Sequence, residues 1–364
     1  MLIFLDSSIL CSDFYMKNAY FCGIKKIGTI VLGQIVVDET VNKYREMLSD
    51  NIQHMSKALR AINNMVENQI SIPLDDFIET ETEKYRNFLD FFSFENLGGE
   101  AESYPDDPHE VVVRRALQRK KPFKADGSTG YRDYLVWRTA LNLAYVNKSE
   151  DVHFITSNVN DFSSPTDKNK LHDDLLMDLK QLGISCSRFH YWPSMRSFLD
   201  NYAAERILEV EQREQLVDEI EKNKSGYYDK ITEYIENSIV GTDISKSDVL
   251  VPGKRPIIKE IMGLTVNQID GIAEITKSNY LLNLIVDSIC KVESYSDPTE
   301  VSELSDCEEF DIEVLEHNGD EWLIQTTIGL YIHLCAIYNK ESNMIESVQT
   351  DYIDDLSCPY GCWE

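Results

Sequence analysis

Four acidic residues stand where a carboxylate can do more than keep a surface wet. Asp6 ends the apolar run LIFL at residues 2–5, so it falls just beyond the C-terminal end of a buried strand, the edge where open α/β sheets hold their ligands. Glu39 follows the apolar run TIVLGQIVV and is placed in the first turn of a helix. Asp133 opens the helical stretch RDYLVWRTALNLAY, and Asp161 sits in the loop after VHFIT. Short connections would bring all four to one rim. Carboxylates gathered there with few cations repel one another unless a divalent ion neutralises them, and all-oxygen ligation is what Mg²⁺ and Mn²⁺ prefer. Each position also fits a plainer role, a strand-end cap for Asp6 and a helix-dipole acid for Glu39 and Asp133.

Such a rim needs a sheet, and the first 200 residues alternate short β-rich runs with helical patterns. Residues 2–5, 152–156 and 184–190 read as strands, short and apolar enough to be buried in a parallel sheet. Helices are expected over 39–49, 51–68, 77–92, 109–120, 132–146 and 171–181. Asp38, the Asp107–Pro108 pair and Asp167 serve as start signals, and Gly183 as a stop. Strand, helix, strand in succession favours a doubly wound α/β sandwich.

The 364 residues exceed one ordinary core, and two packed domains are expected. Residues 201–240 read as an acidic helical connector with apolar residues three and four apart. A turn-rich linker, GTDISKSDVLVPGKRP, opens an acidic α+β C-terminal domain over 241–364. After about residue 280 its alternating runs read as antiparallel strands, two of them joined at HNGDE. The eight cysteines are scattered, as reduced thiols are, and only Cys358 and Cys362 lie close, in CPYGC. No apolar run reaches membrane-spanning length and the start lacks a signal-peptide pattern, which places the protein in the cytoplasm. The chain lacks a Gly-rich phosphate loop, a Ser-Gly nucleophile elbow and paired Cys/His zinc spacing. Nucleotide hydrolysis and zinc catalysis are therefore disfavoured.

LDSS with Asp6, VVDETVNKY with Glu39, GYRDYLVW with Asp133 and FITSNVNDF with Asn158 and Asp161 resemble, in this order, the motifs of PIN-domain nucleases, and more narrowly a longer PIN-like branch with a C-terminal extension. The resemblance covers residues 1–200, a PIN-like nuclease domain. It implies a three-layer sandwich around a central, mainly parallel sheet, a Mg²⁺ or Mn²⁺ cofactor, and hydrolysis of phosphodiester bonds, usually in single-stranded or structured RNA. On this resemblance Asp6, Glu39, Asp133 and Asp161 are catalytic and bind metal together with Asn158, while Ser8 and Thr156 hold a carboxylate or water from behind. Many PIN domains carry an acid directly after a Thr-x pair, where this chain has Asn158. Either the Asn158 amide oxygen ligates or Asp161 provides the charge. A toxin or defence effector is a further reading that rests on the resemblance alone.

Net charge is −28, which on average repels a polyanion. The acid is segregated: residues 1–200 hold 23 basic against 29 acidic side chains, residues 201–364 hold 12 against 34. Within 113–138, eight cations face two acids. Arg114, Arg115, Arg119, Lys120, Lys121, Lys124 and Arg132 are therefore candidates to hold a nucleic-acid backbone beside Asp133, with Tyr131 and Trp137 as stacking candidates, although Trp137 also reads as core. The same stretch also reads as the wet face of a helix. The acidic half is unsuited to contact RNA directly; it reads as a competitor for the basic patch, as a surface for a regulatory protein, or as a solubilising shell. Two further functions stay open beside an RNA endonuclease: a PIN-like binding module without catalysis, and a structure-specific DNA nuclease. An oligomeric state is left open.

Overall fold

The computed structural model of the chain describes all residues except 69, 73, 75, 98–100, 125–126, 205, 207, 223, 248, 250, 306–310 and 356–364. Its contacts divide it into two units, residues 1–16 with 27–200, and residues 17–26 with 201–364.

The first unit is built on β1 (Leu2–Leu5), β2 (Thr29–Val31), β3 (Val152–Ile155) and β4 (Phe189–Trp192), all parallel and ordered β2-β1-β3-β4. Its helices are α1 (Ser7–Leu10), α3 (Gln34–Asn63), α4 (Phe77–Leu97), α5 (His109–Leu117), α6 (Tyr131–Val146), α7 (Val159–Phe162), α8 (Asp173–Gln181) and α9 (Met195–Ala204), while α2 (Ala19–Ile27) falls mostly in the second unit. Register explains the layers. Phe4 pairs with Phe154 and Phe154 with Tyr191, so these aromatic residues share one face of the sheet. Against that face α6 buries Trp137 completely, its ring 6.2 Å from Phe154 and 5.5 Å from Phe189. On the opposite face Phe198 of α9 lies 5.1 Å from His153 and 5.7 Å from Trp192. Helix, sheet and helix make the expected α/β sandwich, with β1 and β3 ending side by side.

Several boundaries differ from expectation, α8 capped at His172 rather than Asp167 among them, and two have a clear physical reason. The helices expected at 39–49 and 51–68 are one helix, α3, whose N-cap is Gly33 rather than Asp38. Its opening turns bury Ile35, Val36, Val37, Thr40 and Val41, and an apolar run buried on all sides hides helical period. Asp38 caps nothing; its carboxylate accepts from Arg86 and Tyr104, both at 2.8 Å. Glu39 thereby lies in the second turn of α3, not the first. The third strand starts at Phe189 because Ser185 O accepts from both Arg188 N and Phe189 N, which folds the preceding residues into a turn.

The second unit is an antiparallel sheet of β5 (Lys254–Thr276), β6 (Asn279–Ser296), β7 (Ile312–Asn318), β8 (Glu321–Asn339) and β9 (Met344–Asp355), with α10 (Val210–Lys222), α11 (Lys224–Ser238) and α12 (Pro298–Ser305). One side of β8 pairs with β6, and its other pairings are β7 early and β9 late. The HNGDE hairpin is present, Gly319 supplying a φ of +62° between paired Asn318 and Glu321. β5 begins well before residue 280; six register irregularities along it break the strict alternation that marks a strand. Among the described residues, no helix is long and apolar enough to cross a membrane, and Cys11, Cys22, Cys186, Cys290 and Cys335 form no disulfide. Cys307, Cys358 and Cys362 lie outside the described residues.

The stretch 201–240 is not a free-standing connector. Leu216, Ile220, Ile231, Ile235 and Ile239 share one core with Ile258, Leu282, Leu330 and Val348 of the sheet. Residues 17–26 also belong to this unit: Ser347 Oγ donates to Lys17 O at 2.9 Å, and Lys26 pairs with Glu346 at 2.7 Å. A chain cut after residue 240 therefore exposes five buried aliphatic side chains, each worth about 1.5 to 3 kcal/mol of burial. Such a truncation is expected to aggregate or to bind a hydrophobic dye strongly. A soluble product that melts cooperatively without dye binding would contradict this packing.

Candidate active site

Asp6 follows β1 directly and is the N-cap of α1, so the strand end and the cap role converge on one side chain. Its Oδ1 accepts from Ser7 N at 2.8 Å, and its Oδ2 accepts from Ser8 Oγ at 2.7 Å and Thr156 Oγ1 at 2.6 Å. Thr156 follows β3 as Asp6 follows β1, and its hydroxyl in turn accepts from Asn158 N at 3.0 Å. A wholly buried threonine thus locks a 4 % exposed aspartate with a definite direction of donation. Ser8 and Thr156 thus share Asp6 Oδ2.

Ser7 carries the contact that the sequence left unmarked. Its Oγ donates to Glu39 Oε2 at 2.9 Å, tying α3 to the strand that ends in Asp6. The Cys11 thiol beside them is pushed up to about 11, by burial first and then by the negative charges of Glu39 and Asp6. From α6, Asp133 enters the same field: its carboxyl is pushed up to about 6, by burial and then by Asp161, Asp6 and Glu39 in that order. Asn158 Nδ2 opposes this by donating to Asp133 Oδ1 at 2.9 Å. All four expected carboxylates therefore share one electrostatic site, assembled from the ends of β1 and β3 and from three helices.

The glycine before α6 is required by its surroundings. Gly130 holds φ +109°, and a Cβ there would stand 2.6 Å from Pro122 O and 2.8 Å from Phe123 Cα. Only glycine lets the loop close tightly enough to start α6 two residues before Asp133.

The basic stretch separates into three groups. Arg138 forks onto Asp107 at 2.7 and 2.9 Å, and Arg115 pairs with Asp178 at 2.8 Å while only 12 % exposed; both are structural rather than surface cations. Lys121 and Arg132 pair with the acids, Lys121 Nζ lying 3.3 Å from Asp161 Oδ1 and the largely exposed Arg132 placing Nη1 3.0 Å from Glu39 Oε1. Arg114, Arg119, Lys120 and Lys124 form no ion pair among the described residues. Tyr131 is 53 % exposed, whereas Trp137 is core, its Nε1 donating to Asp178 at 2.8 Å.

As the side chains stand, no group of three or more His, Cys, Asp or Glu among the described residues meets at the spacing of one metal ion. The contacts above give the reason: Lys121, Arg132 and Asn158 Nδ2 each hold a carboxylate oxygen that an ion would use. The donor chemistry nevertheless fits a hard divalent cation, since every acid offers oxygen and Asp133 bears an unrelieved repulsion from the other three.

The first unit is thus an α/β domain with acids gathered where its parallel strands end. Residues 3–162, under half of the chain, match the family described as PIN domain. Comparison with curated proteins and with solved structures gave no match.

Proposed function

We propose that the first unit is a metal-dependent endonuclease acting on RNA, single-stranded or tRNA-like. The observation that carries this reading is the gathering of four carboxylates where β1 and β3 end, Ser7 Oγ joining Glu39 to the strand that ends in Asp6 and Asn158 Nδ2 reaching Asp133 beside Asp161. Asp6, Glu39, Asp133 and Asp161 would hold Mg²⁺ or Mn²⁺, with Asn158 contributing its amide oxygen once the amide turns over. The chemistry such an ion supplies is acidification of a water and neutralisation of charge on the phosphate. The protein's own groups do the rest. Ser7, Ser8 and Thr156 fix the rotamer of Asp6 by donating to both of its oxygens. Arg114, Arg119, Lys120 and Lys124, which form no ion pair among the described residues, offer a backbone contact in an otherwise acidic chain.

The test is incubation of the purified chain with single-stranded RNA or tRNA in Mg²⁺ or Mn²⁺ and, in parallel, in EDTA. Internal cleavage confined to the metal-containing arms is expected. Cleavage of DNA alone would move the substrate assignment to a structure-specific DNA nuclease. One observation favours a second reading: Asn158 places an amide donor on Asp133 where many PIN domains place an acid. Retention of RNA without cleavage in either metal would establish this non-catalytic binding module instead.

A further inference from the structure

We propose that Lys121 is a tethered counter-ion of the acidic site, holding Asp161 while no metal is bound and giving it up when a divalent cation enters. The proposal rests on the reading of this site as a divalent-cation site. Lys121 is unlike the other cations of its stretch because its main chain is clamped from both sides. Its amide N donates to Asp174 Oδ2 at 3.0 Å, and its carbonyl accepts Arg115 Nε at 2.8 Å as well as Arg115 Nη2. Arg115 is fixed in turn by Asp178, 2.8 Å away, and Asp178 accepts from Trp137 in the core of the unit. A chain of Trp137, Asp178 and Arg115 thus sets the one residue whose ammonium reaches a buried acid of the site.

At its far end the ammonium donates to Asn160 O at 2.7 Å and to Asp161 Oδ1 at 3.3 Å. Two of its three N–H donors are used in this way. Asp161 is 6 % exposed, and a carboxylate so deeply placed needs a permanent partner. Lys121 is 24 % exposed, so its head retains an outward route along a flexible stem. A divalent cation on Asp161 removes the need for the ammonium and repels it. The displaced head then stands beside the metal site, within a side chain's reach of the substrate phosphate, where a compact cation is a phosphate ligand. Lys121 is therefore a competitor of the metal in the resting protein, a role opposite to that of a surface cation that only recruits RNA.

Lys121→Met separates these roles through two readouts that need no cleavage. In EDTA the variant is expected to melt several degrees below wild type, since Asp161 loses its partner. In calorimetric titration it is expected to bind Mn²⁺ about tenfold more tightly, because both a competitor and a repelling charge are gone. Lys121→Arg, which keeps the charge, should restore the wild-type affinity. In an Asp161→Asn background the same Lys121→Met change should lower the melting temperature much less, by the loss of the Asn160 O contact alone, which distinguishes a lost ion pair from general damage to the loop. Unchanged or weaker Mn²⁺ binding by Lys121→Met would overturn the counter-ion role while leaving the metal site intact. Failure of wild type itself to bind Mn²⁺ would overturn both readings together. Should Lys121→Met not fold, Lys121→Gln gives the same comparison with a polar side chain.

Discussion

Asp6→Asn is expected to reduce metal-dependent RNA cleavage by on the order of a thousandfold or more, the scale of loss seen when an electrostatic stabiliser of a reaction is removed. The size follows from how the residue is held. Ser7 N, Ser8 Oγ and Thr156 Oγ1 all donate to its two oxygens within 2.8 Å. Asparagine keeps the shape but loses the charge, and its amide presents a donor to a shell of donors. The hydroxyls can rotate in part, yet Thr156 already accepts from Asn158 N, so its own hydrogen has few other directions. A milder companion isolates the support from the charge. Thr156→Val leaves the carboxylate charged but removes one of its three short bonds, and a loss of about 10- to 100-fold is expected, as for other groups that orient a ligand from behind. Rates measured in saturating Mn²⁺ with unchanged circular dichroism would establish this order, Asp6→Asn far below Thr156→Val below wild type. Asp6→Asn within about tenfold of wild type would sink the assignment of Asp6 to the reaction.

How much of this site is legible in the sequence depends on the range over which each contact acts. Asp6, Thr156 and Asp161 are legible because each lies within a few residues of a short buried strand, and strand ends in a parallel sheet share an edge. Asp133 is legible as a helix-start acid, but its repulsion by three partners more than twenty residues away is not, since no local pattern encodes distance across the sheet. The link from Ser7 to Glu39 escaped for a related reason. It depends on α3 starting at Gln34, and the run IVV that opens this helix carries no polar punctuation to separate a buried helix from a strand. The basic stretch shows the limit of composition most directly. Eight cations in 26 residues read as one patch, yet Arg115 and Arg138 are consumed by Asp178 and Asp107, and Lys121 and Arg132 face the acids. Charge density in a sequence says nothing about where long side chains point. In the second unit the strands after residue 280 were legible and β5 was not, because its bulges repeatedly reset the two-residue alternation.

Asp133→Asn is expected to stabilise the metal-free protein while abolishing its cleavage. The folded carboxyl titrates at about 6, above its ordinary value of 3.8, because burial and then the charges of Asp161, Asp6 and Glu39 disfavour ionisation. Between these two values the folded protein holds a proton that the unfolded chain has released. Stability therefore falls as pH rises through that window and stays lower above about pH 6. The shift corresponds to a cost of about 2 to 3 kcal/mol at neutral pH. Asparagine carries no charge to repel, and its carbonyl can still accept from Asn158 Nδ2, so the variant keeps the bond and loses the cost. In EDTA at pH 7.5 its melting temperature is expected to rise by roughly 5 to 10 °C. Well below the ordinary value of 3.8 the two proteins should melt together, because Asp133 is then protonated in both states. Added Mn²⁺ should reverse the order, raising wild type through the ion it binds and leaving Asp133→Asn nearly unmoved. This pattern, a site group that weakens the empty fold and strengthens the loaded one, is the stability cost that a preassembled cation site imposes. Equal melting of the two proteins at pH 7.5 in EDTA would show that the acids do not repel one another, and the convergence of the four carboxylates would fail with it.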